Sequence, residues 1–310
     1  MRILLAEDSA FYRRMIANYL AEWGFDFVSA QDGKEAWKIL RSPDGPRLAL
    51  LDWMLPEIEG VELCRRLRSC GEGSGYIYTV LITAKNQKQE MLEAMDAGAD
   101  DFLSKPFDPA ELRARIQVGK RIVELQQKLA SINDALRFAA SHDPLTQIWN
   151  RGEVLAFLGR ELARARRGAT PVGVALADVD HFKKINDEFG HQVGDLVLRE
   201  LAQRFSRNLR EYDGVGRYGG EEFLLVIPGC DLKTTARRAN EIRTLISNEP
   251  FAQATGTREL TVSMGVATAE PSETVEELLR RADEALYRAK RSGRNRVESS
   301  NIGVTAAAQA

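Results

Sequence analysis

The sequence predicts an α/β protein of two domains joined by a long helix, and three observations carry that prediction. Short apolar runs alternate with amphipathic helical patterns over the first third of the chain. Strand signals then stop between Pro109 and Ser141, where apolar residues recur at heptad spacing. Alternation resumes after the helix-breaking His142-Asp143-Pro144. The length of 310 residues agrees, since it corresponds to about two domains, each able to bury a core without disulfide or metal staples.

In the first domain, candidate strands lie at Ile3–Ala6, Phe25–Ser29, Leu48–Leu51, Tyr78–Thr83 and Asp101–Leu103. Helical patterns lie between them near Ser9–Trp23, Gly33–Arg41, Gly60–Arg68 and Gln87–Ala97. Strands alternating with helices imply parallel βα units in a doubly wound sheet, here over residues 1–120. In the next segment, residues 109–141, Ile122, Leu125, Leu129, Ile132, Leu136 and Ala139 follow a 3-4-3-4-3 spacing. A last helix packed on its own core accounts for Leu112 and Ile116. The later positions lie past the sheet, and a two-stranded coiled coil with a second copy accounts for them better. Residues 142–298 form the second α/β domain, with strands at Val172–Ala177, Gly214–Arg217, Phe223–Ile227, Glu259–Thr268 and near Asn295–Val297. Gly219-Gly220 falls between two strand patterns with no helix, which reads as a hairpin. The tail, 299–310, is expected to be disordered.

Composition narrows the classes. With 44% hydrophobic and 28% charged residues, the chain is neither disordered, collagenous nor a rod. Lys+Arg 43 against Asp+Glu 45 leaves a net charge of -2 and no global case for nucleic-acid binding. Cys64, Cys70 and Cys230 form no CxxC or Cys/His cluster, so reduced thiols are expected rather than a zinc site. No apolar run reaches the ~18 residues of a membrane span. Met1-Arg2 runs directly into Ile3–Ala6, leaving no room for a signal peptide. A cytoplasmic location is expected.

Chemistry gathers where parallel strands end. Glu7 and Asp8 close the first strand, Asp52 the third and Thr83 the fourth, and Lys105 follows the fifth. Clustered carboxylates need a counter-charge, and a hard divalent cation such as Mg²⁺ suits them. These residues, with Leu51-Asp52-Trp53-Met54-Leu55-Pro56, Gly60, Thr83-Ala84-Lys85 and Lys105-Pro106-Phe107, resemble the receiver domain of two-component response regulators. The resemblance implies a flavodoxin-like fold, a cognate histidine kinase, and Asp52 as the phosphoacceptor. It further implies Mg²⁺ held by Glu7, Asp8, Asp52 and the Met54 carbonyl, phosphoryl oxygens bound by Thr83 and Lys105, and Phe102 as the switch aromatic.

The second domain carries Ala177-Asp178-Val179-Asp180-His181-Phe182, and later Arg217-Tyr218-Gly219-Gly220-Glu221-Glu222-Phe223. Adjacent glycines let phosphates approach a hairpin tip, and paired carboxylates holding two Mg²⁺ suit in-line displacement at phosphorus. Together with Asp143-Pro144-Leu145-Thr146, Asn150-Arg151, Gly194-Asp195 and Ala285-Leu286-Tyr287-Arg288-Ala289-Lys290, they resemble the GGDEF domain of diguanylate cyclases, in a GGEEF form. The resemblance implies a palm-like domain with a mixed sheet that condenses two GTP into cyclic di-GMP. It implies Asp178, Glu221 and Glu222 as catalytic acids, with Asp178, Glu221 and the Val179 carbonyl binding Mg²⁺, or Mn²⁺ as the alternative ion. Asn186 and Asp195 would bind guanine, Gly219 and Gly220 would lie against the phosphates, and Lys290 and Arg294 would hold the terminal phosphates. One domain binds one GTP, so two must face each other, which the linker helix of a homodimer would arrange. Arg210 and Asp213 form an RxxD at the offset of the family's inhibitory product site, with Asp213 expected to read a guanine edge. Arg237 and Arg238 both stay open as the completing arginine. Gln147 replaces the family's usual glycine, which touches the local turn rather than the chemistry. Two rivals stay open: a non-catalytic nucleotide-binding regulator, and a cyclase of altered base choice.

Overall fold

The computed structural model describes residues 1–69, 75–84, 88–249, 251 and 260–300. Cys70, Lys85, Glu259 and the tail from 301 lie outside the described residues. The chain divides into two units, Met1–Asp134 and Ala135–Ala310.

In the first unit, period-2 burial builds the sheet. The strands are β1 (Arg2–Ala6), β2 (Asp26–Ala30), β3 (Leu48–Asp52), β4 (Tyr78–Thr83) and β5 (Asp101–Ser104). They run parallel in the order β2-β1-β3-β4-β5. Strands buried on both faces read as continuous apolar runs: Leu4 and Leu51 pack on one side, Ile3 and Leu50 on the other. Helices α2 (Gly33–Leu40), α3 (Gly60–Ser69) and α4 (Lys88–Asp96) cover the first face. Helices α1 (Ala10–Glu22) and the start of α5 (Pro109–Ser141) cover the second. Ser9 is extended (φ -68, ψ 117) and caps α1 rather than starting it.

Helix α5 splits by burial as the spacing predicts. Leu112, Ile116 and Val123 are buried and Ile122 packs beside them, whereas Leu125, Leu129, Ile132 and Leu136 are 60%, 54%, 45% and 61% exposed. Among the described residues, no core buries the apolar stripe beyond Val123.

The second unit contains α6 (Arg151–Gly168), β6 (Val172–Val179), α7 (Phe182–Phe189), α8 (His191–Asn208), β7 (Gly214–Arg217), β8 (Glu222–Pro228), α9 (Leu232–Asn248), β9 (Val262–Thr268), α10 (Val275–Arg291) and β10 (Val297–Ser299). The sheet order is β10-β9-β6-β8-β7; β10 pairs parallel with β9 and the remaining pairs are antiparallel. Central β6 is buried throughout. Its Val174 and Leu176 face α6 and α10, and its Ala175 and Ala177 face α8 and α9. The last strand starts at Val297, two residues later than expected. Arg294 (φ 61) and Asn295 (φ 45) are left-handed, so extended pairing cannot begin there.

Among the described residues, no helix is long and apolar enough to cross a membrane. Cys64 and Cys230 are free and buried. Burial pushes the Cys64 thiol up to about 11, which keeps it protonated and unreactive.

Candidate functional site

The first site lies at the carboxyl ends of β1, β3 and β4. Glu7, Asp8 and Asp52 each offer a carboxylate oxygen within 4.8 Å of the others, the one such acidic group among the described residues. Three hard oxygen donors at this spacing fit Mg²⁺. Glu7 is fully buried and Asp52 nearly so, while Asp8 is exposed and leaves an open side. Lys105 supplies the buried counter-charge: its Nζ lies 3.0 and 2.8 Å from the Glu7 oxygens and 2.9 Å from Asp52 Oδ2. Burial pushes the Glu7 carboxyl up to about 7; the Asp52 charge adds to this and Lys105 opposes it. The Met54 amide donates weakly to Asp52 Oδ1 at 3.4 Å, with the Met54 side chain exposed. Thr83 is buried at the end of β4. Phe102 is half-buried beneath the Arg115 guanidinium at 5.6 Å.

Two neighbours of this site escaped sequence reasoning. The Tyr12 ring lies 4.4 Å from Lys105 Nζ, and Arg13 donates to the Glu7 and Asp8 carbonyls at 2.8 and 3.0 Å. Both stand one helical turn past the acids, but Tyr12 and Arg13 are common helix-surface residues and carry no motif.

The second site forms where β6 meets the β7–β8 hairpin. Asp178 sits directly opposite Glu222 in the antiparallel ladder, and the Val179 amide donates to the Glu221 carbonyl at 3.3 Å. Like charges directly opposite repel, and Lys290 on α10 answers them with Nζ 2.7 Å from Asp178 Oδ2. Burial raises the carboxyls of Asp178, Glu221 and Glu222; the Asp178 charge raises the two glutamates further, and Lys290 pulls all three down. Unlike the first group, the carboxylate oxygens of Asp178, Glu221 and Glu222 do not all lie within 4.8 Å of one another. The donor set is still the all-oxygen kind that Mg²⁺ takes.

The hairpin tip shows what its glycines do. Neither Gly219 nor Gly220 is left-handed. A Cβ on Gly219 would stand 2.6 Å from Glu222 Oε2, whereas Gly220 faces open space. The first glycine makes room for the acid and the second leaves the tip open. Arg217 braces that tip: its Nε and Nη2 donate to the Gly220 carbonyl at 3.1 and 2.7 Å, and its Nη1 lies 3.2 Å from both Asp143 oxygens. Asp143 opposes burial by accepting from Thr146 and Arg217, and its carboxyl sits below the usual range. Gln147 keeps the local turn without glycine. It is left-handed (φ 61), and its Nε2 donates to the Pro144 carbonyl at 2.9 Å.

Helices α7 and α8 meet at left-handed Gly190 (φ 82), which brings Asn186 beside the first turn of α8. A Cβ on Gly194 would stand 2.0 Å from Asn186 Oδ1, so only glycine admits that amide next to Asp195. Asp195 is exposed on α8. Arg294 is exposed in the turn after α10, and its charge acts on Asp178.

In the RxxD segment, the Asp213 side chain has no exposed area: Arg238 grips it at 2.7 and 3.2 Å, and the Arg210 amide donates to it at 2.8 Å. Asp213 thus ties the turn to Arg238, and it also lines the cavity that Arg210 borders. Arg238 is the arginine tied to it, while Arg237 pairs with Glu241 on an exposed face. The Arg210 guanidinium is exposed, bonds Tyr212 Oη at 2.7 Å, and borders a cavity of about 260 Å³ lined by His142, Gln147, Trp149 and Ser206.

Comparison with known proteins places both units. The family model described as the diguanylate cyclase GGDEF domain matches residues 140–296, and that of the response regulator receiver domain matches residues 3–117. The chain is similar to the response regulator PleD of Caulobacter vibrioides, 37% identical over 96% of this chain and 65% of PleD. It thus spans just under two thirds of that relative's length. Diguanylate cyclase DosC of Escherichia coli K12 is 39% identical over 60% of this chain and 40% of its own. Among solved structures, the coiled coil and GGDEF domain of DgcB from Caulobacter crescentus, in complex with c-di-GMP, matches at TM-score 0.54 and 35% identity, covering 61% of this chain and 98% of that one. Both halves of the chain thus find their kin in motif order, and the chain belongs to the GGDEF diguanylate cyclase domain family, with a response regulator receiver domain ahead of it.

Proposed function

We propose that the protein is a phosphorylation-controlled diguanylate cyclase. It would comprise a receiver over 1–120, a linker helix over 109–141 and a cyclase domain from 142; the expected end at 298 is corrected to 300, because Ser299 pairs in β10 and Ser300 is buried with its amide on the Val266 carbonyl at 2.7 Å. The observation that carries this reading is the second site. Asp178 and Glu222 are opposed across β6 and β8, Glu221 adjoins them, and Lys290 lies on Asp178 beside an open glycine tip. That arrangement suits a polyphosphate with a divalent ion.

Each GTP 3′-hydroxyl attacks the α-phosphorus of the other. One O–P bond forms and one pyrophosphate leaves at each centre. Asp195 accepts from the guanine edge and the Asn186 amide can donate to it, and a carboxylate there favours guanine, whose N1–H and N2–H are donors adenine lacks. Mg²⁺ held by Asp178, Glu221 and the Val179 carbonyl would supply Lewis-acid stabilisation of the phosphoryl charge. Lys290 and Arg294 take the terminal phosphates, so Lys290 exchanges Asp178 for substrate on binding.

In the receiver, Asp52 attacks the phosphorus of a phosphohistidine on the partner kinase. The aspartyl O–P bond forms as the N–P bond breaks. Glu7, Asp8, Asp52 itself and the Met54 carbonyl would hold Mg²⁺ there, which would stabilise the phosphoryl charge. Thr83 and Lys105 hold the phosphoryl oxygens, and Phe102 responds. The exposed stripe from Leu125 to Leu136 supports pairing with a second copy, which sets two half-sites face to face. Arg210 would grip cyclic di-GMP as inhibitor while Asp213 and Arg238 hold its turn. The reading places the protein in the cytoplasm, as a soluble homodimer without nucleic-acid or membrane partners.

Purified protein given GTP and Mg²⁺ should yield cyclic di-GMP and pyrophosphate, and Asp178→Ala and Glu221→Ala should abolish synthesis while unfolding at the wild-type temperature. Turnover retained in both variants would overturn the assignment of the acids.

A further inference from the structure

Asp180 lies one residue past the end of β6 and is 5% exposed. Its carboxylate accepts three hydrogen bonds. Ser263 Oγ donates to Oδ1 at 2.7 Å, Thr261 Oγ1 to Oδ2 at 2.7 Å, and the Asn295 amide to Oδ2 at 3.0 Å. Its own amide donates to the Thr261 carbonyl at 3.0 Å. One carboxylate thus ties three places together: the end of the strand bearing Asp178, the start of β9, and the turn between α10 and β10.

That turn is unusual. Gly293, Arg294 and Asn295 are three consecutive left-handed residues, with φ of 110, 61 and 45. Non-glycine residues keep such a conformation only where the surroundings hold it. The holding contacts are the Arg294 amide on the Ala289 carbonyl at 3.0 Å, Arg243 Nη1 on Asn295 Oδ1 at 2.6 Å, and the Asn295 amide on Asp180. Of these, the Asp180 contact alone connects the turn to β6.

We propose that Asp180 is a positioning residue. It sets where Arg294 stands relative to Asp178, and so how the cyclase site grips the terminal phosphates, without itself touching nucleotide or metal. This rests on the cyclase reading. Its oxygens are taken by two hydroxyls and a backbone amide, and a buried carboxylate so satisfied has little left to offer an ion. The role is one of shape and hydrogen bonding. An asparagine could keep it, with its amide oxygen accepting from Asn295 and Thr261 and its amide nitrogen donating to a reoriented Ser263 hydroxyl.

The test uses the full chain and 3′-deoxy-GTP, which lacks the attacking hydroxyl and so binds without turnover. Affinity is measured by calorimetry in Mg²⁺ for Asp180→Ala and Asp180→Asn, each in the wild-type and Arg294→Ala backgrounds. Asp180→Ala should weaken binding about tenfold alone and less than about twofold once Arg294 is gone, because two residues acting as one unit are not additive. Asp180→Asn should stay within about threefold of wild type. Equal losses in both backgrounds would overturn the proposal, as would an Asn variant as weak as the Ala variant, which would mark the charge itself as the ligand. If Asp180→Ala does not fold, Thr261→Val with Ser263→Ala loosens the same carboxylate and must show the same dependence on Arg294. A wild-type protein that binds no 3′-deoxy-GTP would sink the cyclase reading itself.

Discussion

The apolar stripe of α5 makes the most quantitative prediction. In one chain, Leu129 and Leu136 keep 54% and 61% of their surface exposed. Burying a whole leucine contributes about 1.5–3 kcal/mol, so covering a little over half of each in a coiled coil contributes about 1 kcal/mol. Replacing both by lysine removes this at four places in a dimer, for a loss of about 4 kcal/mol, or about 10³ in the dissociation constant. Lysine and leucine have similar helix propensities and both sites are exposed, so each chain should fold unchanged. Sedimentation equilibrium over a concentration series reads the constant directly. Cyclic di-GMP synthesis at low protein concentration should fall with it. A double variant that dimerises as tightly as wild type would refute the pairing of these helices through this stripe.

Three further predictions concern the second unit. Gln147→Gly should raise its unfolding temperature by about 2–4 °C, since relief of a left-handed glutamine outweighs one exposed hydrogen bond; a lower temperature in a thermal scan would contradict this. Burial opposes it, but the hydrogen bonds from Thr146 and then the Arg217 charge hold the Asp143 carboxyl below its ordinary value in the fold, so these contacts stabilise above the ordinary carboxylate pKa and that share is lost as pH falls through the depressed value. Asp143→Asn should therefore lower stability at neutral pH and flatten the acid limb of the pH–stability profile, and a parallel profile would count against the Thr146 and Arg217 contacts to the carboxylate. Arg210→Ala should relieve inhibition by added cyclic di-GMP while leaving initial rates intact, and unchanged inhibition would show that the exposed guanidinium is not the product contact.

Local pattern made most of the architecture legible. The apolar run Val172–Ala177 announced a strand, and strand-end acids announced the first site. Strand order in the second sheet was not legible, because antiparallel pairing of β6 with both β8 and β9 depends on contacts far apart in sequence. Asp180 illustrates the same limit: it stands in a motif, yet its use depends on Asn295, 115 residues away. An RxxD carries no sign of which way its acid points; the partner that holds Asp213, Arg238, comes from α9. Arg294 was placed by motif, but its left-handed turn, which delays the last strand, has no sequence signal beyond the preceding Gly293.

The central claim joins the two sites: phosphorylation at Asp52 governs GTP condensation at Asp178 and Glu221. The most direct measurement is the rate of cyclic di-GMP formation from GTP and Mg²⁺, with and without a small-molecule phosphodonor, for wild type and Asp52→Asn. The phosphodonor should activate the wild-type protein and leave the variant unchanged. Equal activation of both proteins, or cyclic di-GMP absent under every condition, would contradict it.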